Sequence, residues 1–160
     1  MSLLNDAHQF FLTLIIKHRV DFVLIGGYAV ILHGGDRTTS DIDLLIEPTK
    51  ENGQKLLNAF KEGNFEAGNI ELYEFENPLF LSFGFEPEAI DIMTFTKGIT
   101  YNEASKNATL INIDGHQIKL VDVRDLIKIK ESLQREGSKG LLDKYDAERL
   151  KEIINQKNNL

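Results

Sequence analysis

At 160 residues, 42% hydrophobic and 27% charged, the chain is long enough to bury a core and too apolar to stay disordered. It has no Cys, which excludes disulfides, thiolate catalysis and Cys-based zinc sites. The formal net charge of -7 weighs against a broad nucleic-acid surface, and no apolar run reaches the roughly 20 residues a membrane span needs.

The predicted elements alternate between helix and strand. Leu3, Ala7, Phe11, Leu14, Ile15 and His18 recur at three- and four-residue steps, a helical stripe over residues 3–18. No basic leader precedes Phe10-Phe11-Leu12, so the expectation is a protein without a signal peptide, soluble and cytoplasmic. Asp21 to Ile25 is a short buried strand running into Gly26-Gly27. Tyr28 to His33 is compatible with helix, stopped by Gly34-Gly35. Asp41 to Ile46 reads as a strand closed by Glu47-Pro48. Thr49 is placed to cap a helix reaching about Glu62, and Gly63-Asn64 ends it. Residues 66–77 carry no decisive pattern.

Leu79 to Phe85 and Ala89 to Phe95 are rich in strand formers and read as an antiparallel pair joined around Glu86-Pro87. Asp114-Gly115 between Leu110–Ile113 and Gln117–Leu120 predicts a hairpin with a type I′ turn. Val121 to Gln134 and Asp143 to Ile154 have helical spacing. The fold class is α/β (α+β): a mixed central sheet flanked by helices, in one domain over 1–160. Its core spans about 20–120 and a C-terminal helical part about 121–157.

The chemistry concentrates around Asp41-Ile42-Asp43. Alternate strand residues share a face, so Asp41 and Asp43 point one way while Ile42, Leu44 and Ile46 face the core. Two close carboxylates repel unless a hard cation lies between them, and Mg²⁺ or Mn²⁺ prefers oxygen ligands. A bare Asp-x-Asp is more often a solvated strand face. Here the apolar neighbours and the upstream glycine turn put the metal reading ahead. Asp91, alone in Ala89-Ile90-Asp91-Ile92-Met93, is too costly to bury unpaired and reads as a third acid of the same cluster. The competing reading is a charge that protects an edge strand. Gly26-Gly27 lets the backbone approach a phosphate, although neither a Rossmann nor a Walker A pattern is present.

These residues resemble the polymerase-β-type nucleotidyltransferase superfamily, whose pattern is an apolar strand, Gly-Gly or Gly-Ser, an acid-x-acid pair and a distant third acid. More narrowly, Gly26-Gly27-Tyr28-Ala29, His33-Gly34 and Arg37-Thr38-Thr39-Ser40-Asp41-Ile42-Asp43 are similar to the small bacterial nucleotidyltransferase-like group related to AbiE-type toxins. That group also has counterparts of Leu126-Ile127, Lys130 and Arg135, then a Lys-Asp-x-x-Asp stretch. Here Asp143 and Asp146 match the two acids, but Leu142 replaces the lysine, and Glu136 to Gly140 reads as an insertion. The resemblance covers most of the chain.

The resemblance implies a two-metal mechanism with two Mg²⁺ or Mn²⁺ ions. Asp41, Asp43 and Asp91 would be the metal ligands and catalytic acids, with Asp91 nearest the attacking hydroxyl. Gly26 and Gly27 would seat the phosphates of a nucleoside triphosphate. Arg37, Thr39 and Ser40 would contact phosphate or hold Asp41. Lys130 fits a phosphate-binding cation and a solvated helix lysine equally. His33 and Tyr28 read as packing residues, and residues 64–85 are assigned to the acceptor side by elimination. The implied reaction moves a nucleoside monophosphate to an acceptor hydroxyl on tRNA, protein or a small molecule such as an aminoglycoside. The alternatives are a catalytically silent nucleotide-binding relative with an antitoxin-like protein partner, and a metal-dependent Asp-x-Asp glycosyltransferase.

Overall fold

A computed structural model describes residues 2–159. The chain begins with α1 (Asp6–Lys17), capped by Asn5, whose side chain accepts from the His8 N–H at 2.9 Å. β1 (Phe22–Ile25) follows, fully buried as its apolar run requires. α2 (Gly26–Leu32) starts directly at the glycine pair, with no intervening turn. β2 (Asp41–Ile46) and α3 (Lys50–Gly63) come next. Thr49 caps α3 by accepting from Asn52 N–H at 3.1 Å, and Asn64 ends it in the left-handed region at φ 58°.

Residues 72–76 form a single 3₁₀ turn in the stretch that had no readable pattern. β3 (Phe80–Phe83) and β4 (Ala89–Met93) pair antiparallel as expected, each shorter than its apolar run. α4 (Tyr101–Asn107) was not anticipated. Its sequence mark is Thr100 three residues before Glu103, and the Thr100 hydroxyl accepts from the Glu103 N–H at 3.2 Å. β5 (Thr109–Ile113) and β6 (His116–Leu120) form the expected hairpin, with Asp114 at φ 50° and Gly115 at φ 87°.

α5 (Val123–Ser132) and α6 (Gly137–Asn158) complete the chain. α6 begins six residues before the expected Asp143. Glu136 to Gly140, read as an insertion, is its N-cap and first turn. A side chain at Gly140 would collide with the Arg135 carbonyl, so glycine there permits the close return of the helix on the preceding loop.

The six strands form one mixed sheet in the order β3-β4-β2-β1-β6-β5. β4 runs parallel to β2, β2 antiparallel to β1, and β1 parallel to β6. β4 is therefore interior, which removes the edge-strand explanation for Asp91. Ile42, Leu44 and Ile46 lie at 0–1% exposure in one continuous core with Phe11, Leu24, Phe60, Ile92 and Leu126. Buried Asn52 staples two strand ends: it accepts from the Asp21 N–H at 2.7 Å and donates to the Asp21 and Glu47 carbonyls at 2.9 and 3.0 Å. Among the described residues, no helix is long and apolar enough to cross a membrane.

Candidate active site

The site is assembled across four neighbouring strands. Register places Ile25, Asp43, Asp91 and Ser82 in one row across β1, β2, β4 and β3. Asp43 and Asp91 thus face one another on parallel strands, and Asp41 projects on the same side of β2 as Asp43. Ser82 donates its hydroxyl to Asp91 Oδ1 at 2.6 Å, and Ser40 donates to Asp41 Oδ1 at 3.2 Å.

Gly26 comes immediately after Ile25 and therefore beside Asp43. Its φ of +74° lies where L-residues are strained, and a Cβ there would overlap the Asp43 carboxylate. A Cβ on Gly27 would sit 2.5 Å from Thr39 Oγ1 and 3.2 Å from Arg37 Nη1. The glycine pair is thus fitted against an acid on one side and a cation and hydroxyl on the other.

A cavity of about 640 Å³ opens over this row, within the range typical of ligand sites. Every residue singled out in the sequence for the site lines it: Gly26, Gly27, Arg37, Thr39, Ser40, Asp41, Asp43, Asp91 and Lys130. Of residues 64–85, assigned to the acceptor side, only Phe80 reaches the cavity. The intervening stretch is used elsewhere: Phe65 packs on Phe11 and Phe83, and Phe75 is buried against Gly53.

The reading missed Arg135 and Lys139 as further cations of the wall, and Met93, Glu86 and Leu142 beside them. Lys130 is not a solvated helix lysine. It is 7% exposed and pairs with Asp146 at 3.0 Å and Asp143 at 3.4 Å. His33 is a packing residue, its Nε2 donating to the Val121 carbonyl at 2.7 Å. Tyr28 is buried and donates to His8 Nδ1 at 3.2 Å, while His8 Nε2 donates to the Ala89 carbonyl at 2.9 Å. Burial holds His8 below the ordinary histidine range, which matches that neutral tautomer.

The electrostatics of the acid row are unbalanced. Burial, then the charges of Asp91 and Asp41, push the Asp43 carboxyl up to about 7, against the weaker pull of Lys130 and Arg135. Near neutral pH the row holds a proton or requires a cation. Its all-oxygen donor chemistry suits Mg²⁺ or Mn²⁺. Among the described residues no group of three or more His, Cys, Asp or Glu is arranged to hold a metal ion unaided. That is compatible with Mg²⁺, which binds through one or two carboxylates and completes its shell with water and substrate phosphates.

Against solved structures, the chain is similar to the lincomycin-bound lincosamide antibiotic adenylyltransferase LnuA, with TM-score 0.60 and 17% identity over 96% of this chain and 99% of that one. The chain has the nucleotidyltransferase fold. An antigenic nucleotidyltransferase-like protein from Paracoccidioides brasiliensis matches at TM-score 0.51 and 18% identity, over 89% of this chain and 75% of the other. The antibiotic-resistance factor ANT(2'')-Ia matches at TM-score 0.52 and 12% identity, over 96% and 90%. At these identities the likeness is one of fold. No protein-family model matches the sequence, and neither does any curated protein.

Proposed function

We propose that this protein is a metal-dependent nucleotidyltransferase that moves a nucleoside monophosphate from a nucleoside triphosphate to a hydroxyl of a small acceptor. The observation that carries the reading is that Asp41, Asp43 and Asp91 line one cavity together with the Gly26-Gly27 helix start and with Arg37, Lys130, Arg135 and Lys139. Acids and cations lining the same cavity suit a metal-bound triphosphate whose charge shifts toward the leaving pyrophosphate.

In this reading Asp41 and Asp43 would hold the divalent cations, whose chemistry would be Lewis-acid activation of the attacking hydroxyl and neutralisation of phosphate charge. Asp91 takes the hydroxyl proton. Its Oδ1 is fixed by Ser82, which sets the carboxylate's orientation. The Gly26-Gly27 backbone seats the phosphates, Ser40 orients Asp41, and Arg37, Lys130 and Arg135 meet the negative charge of the leaving group.

In this reading the acceptor approaches from the side of β3, where the residues lining the cavity include no cation. That side presents Phe80 and Met93, cross-strand partners, with Glu86 at the rim. From Asn64 to Thr96 the chain has Glu and Asp but no Lys, Arg or His. A polyanion such as RNA is repelled there, whereas an amine-bearing small molecule with an apolar face is favoured. Two of the similar folds belong to an antibiotic adenylyltransferase and an antibiotic-resistance factor, which supports a small acceptor. The narrower likeness to AbiE-type toxins, and the antitoxin-like partner it implies, stands on the sequence motifs alone.

The test is transfer of α-labelled nucleoside triphosphates, with Mg²⁺, to amine-bearing small alcohols, total RNA and lysate protein in parallel. Label on the small alcohols, lost in Asp91→Asn, is expected. Label on RNA would overturn the acceptor class. Undiminished transfer by Asp91→Asn would remove Asp91 from the chemistry.

A further inference from the structure

The cations of the cavity wall are held from behind. Arg37 Nη1 and Lys130 Nζ each lie 3.0 Å from the same atom, Asp146 Oδ2. Asp146 is fully buried on α6 and does not line the cavity, while both of its partners do. One turn earlier on the same helix, buried Asp143 accepts from Arg135 Nε at 2.7 Å and from Lys130 at 3.4 Å. Three cations from three places in the chain converge on two acids: the connector before β2, helix α5 and the loop after it.

Stability alone gives no reason for this arrangement. A buried ion pair seldom outperforms apolar packing in the same space. Two like charges sharing one oxygen also repel. Among the described residues Asp146 Oδ1 is buried without a hydrogen-bond partner, a further penalty. A positioning role does account for it, because cations already in place stabilise developing charge without reorganising at the moment of reaction.

We infer that Asp146, seconded by Asp143, is a positioning residue that fixes the Lys130 ammonium and the Arg37 guanidinium at one point on the cavity wall to receive the triphosphate. The inference rests on the nucleotidyl-transfer reading above. Asp146 touches no substrate and acts only through the two cations, so its effect depends on their presence.

A double-mutant cycle on triphosphate affinity tests this dependence. The probe is an α,β-methylene nucleoside triphosphate with Mg²⁺, using whichever of the four bases the wild-type chain binds tightest. Asp146→Asn is expected to weaken binding at least tenfold. In the Arg37→Gln/Lys130→Met background the same substitution is expected to change affinity less than twofold. A merely structural role would give the same loss in both backgrounds, and that result, or wild-type affinity in Asp146→Asn, would overturn the inference. If circular dichroism shows Asp146→Asn unfolded, the cycle is run with Asp143→Asn in the Lys130→Met/Arg135→Gln background, under the same criteria. Failure of the wild-type chain to bind any of the four would overturn the nucleotidyl-transfer reading itself, before any variant is compared.

Discussion

Asp43 on β2 and Asp91 on β4 stand directly opposite one another in a parallel register, interior to the sheet. Strand pairing therefore holds two carboxylates together that electrostatics alone would separate, and burial first, then the Asp91 charge, raises the Asp43 pKa.

The conflict has a direction in pH. Asp43 ionises at about 7 in the folded chain and near 3.8 when unfolded, so the folded state keeps its proton longer. The metal-free protein therefore loses stability as pH rises from about 4 to about 7 through this group. Asn at position 43 does not titrate. Asp43→Asn is expected to raise the metal-free melting temperature by several degrees at pH 8 and much less at pH 4, on a scale of roughly 2–4 °C per kcal/mol for a chain of this size. Thermal melts across pH check it. A variant equally or less stable at pH 8 would contradict a cost of ionising Asp43 in its buried, acid-flanked place.

Gly26→Ala is expected to damage both fold and site. The substitution forces an L-residue to φ +74° at roughly 1–2 kcal/mol and drives its Cβ into the Asp43 carboxylate. Lower stability and loss of Mg²⁺-dependent triphosphate binding should appear together, by thermal melt and calorimetric titration.

Gly27→Ala separates the two effects, since its backbone is not in the strained region. Its Cβ meets Thr39 Oγ1 and Cβ and, less closely, Arg37 Nη1, so the Thr39 side chain and the connector that carries it must shift. Stability should fall by roughly 1 kcal/mol, in the range of modest overpacking. Triphosphate affinity should fall about tenfold, equivalent to roughly 1.4 kcal/mol. The same titrations compare the two.

His8 ties α1 to α2 and to the start of β4 through Tyr28 and the Ala89 carbonyl. His8→Phe leaves both partners unpaired in a buried site, at about 1–3 kcal/mol for each. Because burial lowers the His8 pKa, its protonation opposes folding, so wild-type stability contributed here falls as pH drops below the ordinary value of 6.5. His8→Phe should be less stable than wild type at pH 7, with a smaller gap at pH 5, measured by denaturant titration.

Much of this was legible because local patterns carried it. Apolar runs ending in Gly26-Gly27 and Glu47-Pro48 marked β1 and β2, and Asp114-Gly115 marked the hairpin, since only certain residues accept its positive φ angles. Asp91 was conspicuous as one charge among Ala, Ile and Met. Its register with Asp43 was not legible, because pairing between β2 and β4 is a long-range choice. Nor was the buried charge network. Lys130, Asp143 and Asp146 stood out only through the family resemblance, and their mutual pairing arises when α5 and α6 pack together, while Gly137 and Gly140 hid the first turn of α6.

The central claim is that Asp41, Asp43 and Asp91 form, with a divalent cation, the seat of a nucleoside triphosphate. Calorimetric titration with an α,β-methylene triphosphate, with and without Mg²⁺, in wild type and Asp41→Ala/Asp43→Ala, tests it most directly. The account predicts saturable binding that requires Mg²⁺ and disappears in the double variant while the fold persists. Binding of equal strength without Mg²⁺, or retained by the double variant, would contradict it.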